Sequence, residues 1–280
     1  MGQPELNKDV LFRLIGESHY PLSQEMHESP TYWRSKVQDV TYDKFISTIE
    51  RNIVSYVRYV LLENLIDPSG NNNEAINGAI RNGHIEIVKL LLEDKRVDPS
   101  SDDNYSIREA ASNGHVEIVR FLMKDERVDP SANNNEAIRW ASSHGYIEIV
   151  KLLLEDKRVD PSDYDNCSIR WAASNGYIEV VKLLLEDKRV DPSDNNNYAI
   201  KWAAGIGHIE IVKLLLEDER IDPGADDNEA IRLATGNRHT EIVRLLLEDE
   251  RIVPSADGNY AIKYEVNNGG RIGFVRSLNF

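Results

Sequence analysis

Apolar positions along this chain fall into pairs of short helical patterns that return every 31 residues. In residues 129–159, DPSANNNEAIRWASSHGYIEIVKLLLEDKRV, Ile138, Ala141 and Ser142 stand at i, i+3 and i+4. That spacing predicts a short first helix with one narrow face of apolar or small residues, on which neighbouring helices can approach closely. A second helix is predicted from Ile147 to about Asp156, with Ile147, Val150, Leu153 and Leu154 on its inner side. Glu148, Lys151 and Glu155 follow one another along another side, a solvated outer face whose ion pairs contribute only ~0.2–0.5 kcal/mol each. Between the helices, Gly145 is expected to end the first in the left-handed conformation, which glycine adopts at little steric cost. Six of seven repeats keep this glycine and Arg238 replaces it in the other.

The punctuation is as regular as the helices. Asp-Pro recurs at residues 67–68, 98–99, 129–130, 160–161, 191–192 and 222–223, then as Val253-Pro254. Pro161 disfavours helical geometry at Asp160, so the second helix must end before it, and the Asn/Asp-rich stretch that follows predicts a tight turn. Asn73, Asn104, Asn135, Asn166, Asn197, Asn228 and Asn259 share one position just before the first helix. An Asn there is expected to cap that helix by accepting from its free N–H groups.

A chain that repeats one element pair without insertion is built by stacking, each repeat contacting mainly its neighbours. The pattern A-I-x-x-A-A-x-N-G-H-I-E-I-V-K-L-L-L, most specific at Asn113-Gly114-His115-Val116-Glu117-Ile118-Val119 and Ala172-Ala173-Ser174-Asn175-Gly176-Tyr177, resembles the ankyrin repeat over roughly residues 36–280. Forms such as Glu136-Ala137-Ile138-Arg139 replace the usual Thr-Pro-Leu-His tetrapeptide, and each repeat is about two residues shorter than the usual ~33. The resemblance implies an all-α, ankyrin-type solenoid of helix-turn-helix units, with a tightened inter-repeat loop where ankyrin repeats carry a hairpin finger. The Arg-Val-Asp-Pro-Ser repeats are similar to those of ankyrin arrays in large DNA viruses of protists and their hosts. The expected organisation is an N-terminal extension over 1–35, a degenerate capping repeat over 36–66 marked by Phe45, Ile49, Val57 and Val60, six repeats over 67–252, and a C-terminal capping repeat over 253–280.

Composition narrows the function. A formal charge of −15 opposes binding to nucleic acid, which requires a basic face, and to an anionic membrane surface. The single cysteine, Cys167, can form neither an internal disulfide nor a cysteine metal cluster, which points to a reducing, cytoplasmic setting. No apolar run approaches the ~18 residues of a membrane span, and the N-terminus lacks a signal-peptide pattern.

Candidate chemistry mostly dissolves into the repeat. His84, His115, His208 and His239 occupy one position, but helices ~8–10 Å apart cannot bring several to one ion with bonds of ~2 Å, so capping is the better expectation. Asp226-Asp227-Asn228 and Asp194-Asn195-Asn196-Asn197 lack the glycine and closing glutamate of a calcium loop and suit turns instead. With no phosphate loop or nucleophile elbow, the chain is expected to be no enzyme and to need no cofactor or metal. What remains is a face. Opposite the apolar side of the first helix the repeats carry Glu109, Trp140, Trp171, Trp202, Leu233 and Tyr264, so three tryptophans form a ladder. Arg108, Arg139, Arg170, Lys201, Arg232 and Lys263 flank it, and Tyr105 and Tyr198 lie one turn before it.

Aromatic and arginine side chains are enriched at interface hot spots. If the first helices line the concave side, as in ankyrin arrays, Trp140, Trp171, Trp202, Tyr105, Tyr198, Arg139, Arg170 and Lys201 are the expected contacts for a partner protein, its segment acidic and apolar, with the chain itself a monomer. The alternative is that the tryptophans merely stack over the joints between repeats while the basic row pairs with acids such as Glu136 and Glu229. Separately, Leu6-Asn7-Lys8-Asp9-Val10-Leu11-Phe12-Arg13-Leu14-Ile15 resembles the opening of an F-box and Tyr32-Trp33-Arg34 its close. That resemblance implies a substrate-receptor subunit of a ubiquitin ligase, docking its adaptor through Leu6, Val10, Leu11, Leu14 and Trp33. Otherwise the segment shields the first repeat.

Overall fold

The computed structural model describes Trp33 and residues 39–252. Among these every regular element is an α-helix, and the helices come in pairs. The chain divides into two compact units, Met1–Asp98 and Pro99–Phe280.

The first unit holds α1 (Tyr42–Glu50), α2 (Val54–Leu62), α3 (Gly70–Arg81) and α4 (Ile85–Glu93). Helix α1 packs on α3 and α2 on α4, so two hairpins share one core of Phe45, Ile49, Val57, Val60, Ile76, Ile80, Ile87 and Leu91. Phe45, Ile49, Val57 and Val60, the residues that mark the expected capping repeat, are fully buried. Thr41 caps α1 by accepting from the Lys44 N–H at 3.4 Å. The Tyr42 hydroxyl donates to the Gly70 carbonyl at 2.6 Å, and its burial pushes the phenol up to about 12.

The second unit stacks five pairs: α5 (Ser101–Ser112) with α6 (Val116–Leu122), α7 (Ala132–Ser143) with α8 (Ile147–Leu154), α9 (Asp163–Ser174) with α10 (Ile178–Leu185), α11 (Asp194–Ile206) with α12 (Ile209–Leu216), and α13 (Ala225–Gly236) with α14 (Thr240–Leu247). First helices pack on first helices and second on second. The first helix buries the expected face, Ile138, Ala141 and Ser142 of α7 being fully buried, whereas α8 buries Ile149, Val150 and Leu153 and leaves Ile147 and Leu154 of the expected inner side only half-buried. On the outer face Lys151 pairs with Glu148 at 3.0 Å and Lys182 with Glu179 at 2.8 Å, both pairs well exposed.

The turn before each first helix differs from expectation. Asn135 does precede the right-handed helix, but its side chain does not cap it. Asn133, Asn134 and Asn135 all have φ near +55°, a short left-handed turn shared by the equivalent triplets of the other described repeats. Each L residue in that region costs roughly 1–2 kcal/mol, and Asn and Asp tolerate it best, which accounts for the Asn/Asp triplets better than capping does. The Asn135 side chain serves the next repeat instead: its Oδ1 accepts the Asp160 N–H at 2.8 Å, and its Nδ2 donates to Asp163 at 2.9 Å. Asn104, Asn166 and Asn197 accept from Asp129, Asp191 and Asp222 in the same way.

Two further links join repeats. Arg158 is held by Asp156 at 2.7 Å while its Nη1 donates to the Val128 carbonyl of the preceding repeat at 2.9 Å; Arg189, Arg220 and Arg251 repeat the arrangement on Val159, Val190 and Ile221. The expected capping by histidine is also found between repeats. His208 Nε2 donates to the Ser174 carbonyl and His239 Nε2 to that of Gly205, each at 3.1 Å, satisfying carbonyls near the C-terminal end of the preceding first helix. That histidine explains the glycine before it: a Cβ on Gly176, whose φ is +85°, would stand 2.7 Å from the His208 ring. Arg238, at φ +65°, takes the same backbone conformation without glycine.

Candidate partner-binding face

Among the described residues of the second unit the exposed large apolar side chains are Trp140, Tyr164, Tyr177, Trp202 and Ile206. Trp140, Trp202 and Ile206 belong to first helices, and Tyr164 to the left-handed turn that opens one. Helix periodicity turns these positions away from the fully buried Ile138, Ala141, Ile200, Ala203 and Ala204.

Trp140 and Trp171 form the expected contact across repeats, with ring centroids 5.7 Å apart at 49°. The row continues from Trp140 to His144 at 5.6 Å and on to Tyr146, whose ring stacks on His144 at 5.7 Å. Trp202 pairs with Tyr198 of its own helix at 5.5 Å. Among the described residues no ring contact joins Trp171 to Trp202, so the ladder is two aromatic groups rather than one stack. Trp140 is fixed by its Nε1–H, which donates to Glu136 at 2.9 Å. Burial works to raise the Glu136 carboxyl, but hydrogen bonds from Trp140, Asn133 and Arg108, with the Arg108 charge, outweigh it and hold the group below its usual value.

The basic row is engaged within the array. Arg139 donates to the carbonyls of Asn134 and Asn133 at 2.8 and 3.0 Å, and Arg170 to those of Asp165 and Tyr164 at 2.7 and 3.1 Å. Each guanidinium also lies over a tyrosine of the next repeat, Arg139 4.8 Å from the Tyr164 centroid and Arg170 5.1 Å from that of Tyr198. Arg108 pairs with Glu136, and Lys201, itself buried, with Asp226 and Glu229. Burial would lower the Lys201 ammonium's pKa, but hydrogen bonds to Asp226 and Glu229 win and raise it. The arginines therefore brace the left-handed turns, and their bonds to neutral carbonyls leave the guanidinium charges in place.

Tyr164 is the residue that sequence reasoning missed. It is 57% exposed and has φ +58°, where the other triplets carry Asn or Asp. A bulky side chain held in that region at a solvent-facing position is a strained feature of the kind that clusters at functional sites. Its signal was available, since it is the one aromatic at the first position of the triplets in the described repeats.

Next to Trp140, where Glu109 takes the ladder position, the surface opens into a depression of about 400 Å³ lined by Tyr105, Arg108, Glu109, Glu136, Trp140 and His144 among others. Cys167 is buried, and burial pushes its thiol up, so at neutral pH it stays protonated and poorly nucleophilic. Among the described residues no three His, Cys, Asp or Glu side chains converge as metal ligands, and no helix is long and apolar enough to cross a membrane.

Of the adaptor-docking candidates, Leu6, Val10, Leu11 and Leu14 lie outside the described residues, as do Lys263, Tyr264 and the expected C-terminal cap. Trp33 is buried, edge-on to Tyr56 at 5.2 Å.

A family model described as Ankyrin repeats (3 copies) matches residues 101–165 and 169–257, more than half of the chain, and a second, Ankyrin repeat, matches 75–104. A search of curated proteins gives no match.

Proposed function

The chain belongs to the ankyrin-repeat family, a family of binding modules that mediate protein–protein interactions and are typically not enzymes, and on that premise we propose that it is a non-catalytic scaffold that binds a partner protein on the exposed face of its first helices. The observation that carries this reading is the concentration of exposed aromatics there, Trp140, Tyr164 and Trp202 beside the half-buried Trp171, against an outer face of solvated ion pairs. Aromatic side chains bring large contact area at low entropy cost, and partly exposed rings on a rigid backbone are preorganised for it. The exposed rings fit an apolar segment. The chain would act as a monomer in a reducing, cytoplasmic compartment, in keeping with its single buried cysteine.

The test is affinity capture with the full chain and with a Trp140→Ala, Trp171→Ala, Trp202→Ala triple variant shown by thermal melting to be folded. Proteins held by the wild type and by an outer-face Glu148→Ala variant, but lost by the triple variant, are the expected result. Identical captured sets for all three would overturn the reading.

A further inference from the structure

We propose that α11 receives an amphipathic helix of the partner, laid along its exposed side with apolar residues four apart, an inference that rests on the first-helix face being the binding face. Tyr198, Trp202 and Ile206 stand at i, i+4 and i+8 on α11, one ridge about 12 Å long down the helix. Trp202 is 42% and Ile206 47% exposed. The Tyr198 ring is tilted against Trp202 at 5.5 Å, and the Arg170 guanidinium lies over it. Leu233 flanks the ridge, because Gly205, where a Cβ would stand 3.1 Å from that of Leu233, lets α13 close up on α11.

At the ends of α3, α5, α7, α9 and α13 the residue equivalent to Ile206 is polar: Asn82, Asn113, His144, Asn175 or Asn237. Asn175 and Asn237 use the position to bind the preceding repeat, donating to the carbonyls of Ser143 and Gly205 at 2.9 and 2.7 Å. Isoleucine at 206 gives up such a bond and sets an apolar side chain in water. A lone exposed isoleucine would need no explanation; this one completes a ridge.

Direction and backbone chemistry select the occupant. The ridge runs along its helix, whereas the contact of Trp140 with Trp171 runs across repeats and, among the described residues, does not continue to Trp202. A strand laid on the ridge would find no edge to pair with, since every regular element among the described residues is a helix and a strand's N–H and C=O groups need partners. A helix satisfies its own backbone, and its rows of side chains four apart interlock with such a ridge, the commonest mode of helix packing. A second copy of the chain could offer its own α11, but a formal charge of −15 on each copy opposes their approach.

The full chain has four tryptophans, hence four indole N–H signals in an NMR spectrum, which single substitutions assign. The probe is a blocked peptide of about 16 residues, alanine and lysine with three leucines four apart. Its control has the same composition with the leucines five apart, which spreads them round the helix. The first peptide is expected to shift the Trp202 signal and to gain helical circular dichroism on binding, and the control to do neither. Ile206→Asn, which restores the residue type of the other repeats, is expected to weaken the response about tenfold, with the Trp33 signal unmoved and melting undiminished. Tyr198→Glu, the residue type of α7 and α13 at that position, serves as a second variant with loss of several-fold.

An equal response to the two peptides, or an undiminished one in both variants, overturns the inference. A dimer in sedimentation that Ile206→Asn dissolves, with no peptide response, gives the ridge to a second copy and also overturns it. If neither peptide moves Trp202 while the triple tryptophan variant still loses its captured proteins, the binding face stands and the partner helix falls. If the captured sets are identical as well, both fall.

Discussion

Asn135 and Asp160 are joined across the boundary between two repeats: the Asn135 side-chain carbonyl accepts the Asp160 N–H at 2.8 Å, just ahead of Pro161. The residue that ends one left-handed turn thereby fixes the place where the next turn begins. A repeat array is a sum of intrinsic and nearest-neighbour terms, and this bond belongs to the neighbour term. Asn135→Gly, which keeps the positive φ but removes the side chain, is expected to destabilise the fold by about 1–2 kcal/mol. Asn135→Ala should cost about 1 kcal/mol more, because alanine resists φ +55°. Urea unfolding of the two variants checks both values; equal stability of the alanine and glycine forms would show that the backbone conformation is not what selects asparagine.

Gly176 and His208 make a second such pair. Gly176→Ala adds a methyl 2.7 Å from the His208 ring at a backbone position with φ +85°, so strain and steric conflict act together and the expected cost is at least 2 kcal/mol. Gly236 is the control. A Cβ there meets nothing within 4 Å, and alanine at the end of α13 is expected to be neutral or to stabilise by up to about 1 kcal/mol. Thermal melting of the two variants separates these outcomes.

The helix pairs, the terminating glycines and the solvated outer face were legible because each follows from a 3.6-residue period or from one special φ. The links between repeats were not. Asn135 suits an N-cap, a left-handed turn or a cross-repeat bond equally well in a single sequence, and only the placement of the Asp160 N–H decides among them. Asp156-x-Arg158 recurs in every described repeat from Asp94-x-Arg96 to Asp249-x-Arg251, yet nothing in that spacing says that the arginine reaches back to the preceding repeat. Arg139 and Arg170 were recognised as a row beside the tryptophans, but their attachment to turn carbonyls depends on a left-handed triplet that no helical period reveals. Tyr164 escaped notice for the same reason, being part of a turn rather than of a helix face.

Tyr164 separates structure from binding. Replacing it with asparagine relieves strain at φ +58° but removes the contact with Arg139, and the two effects, each about 0.5–1 kcal/mol, oppose one another. Stability is expected to change by no more than about 0.5 kcal/mol in urea unfolding, while retention of the captured partner falls. A large loss of stability with capture unaffected would assign the tyrosine to the fold instead.

The Asp-x-Arg clamps predict how the protein responds to acid. Asp94, Asp125, Asp156, Asp187, Asp218 and Asp249 are each held below the ordinary carboxyl value of 3.8, chiefly by the hydrogen bond from the arginine two residues on. A carboxyl whose pKa is depressed on folding binds its proton more readily in the unfolded chain, so its contribution to stability is complete above 3.8 and is lost as the pH falls through the folded value. The urea midpoint is therefore expected to be nearly constant from neutral pH down to about 5 and to drop steeply below about 4. Asp156→Asn should lower the midpoint at neutral pH and flatten the acid limb, because the variant has one proton fewer to take up on unfolding. A midpoint that rises on acidification, or an acid limb of unchanged steepness in that variant, would show that the clamps do not govern the transition.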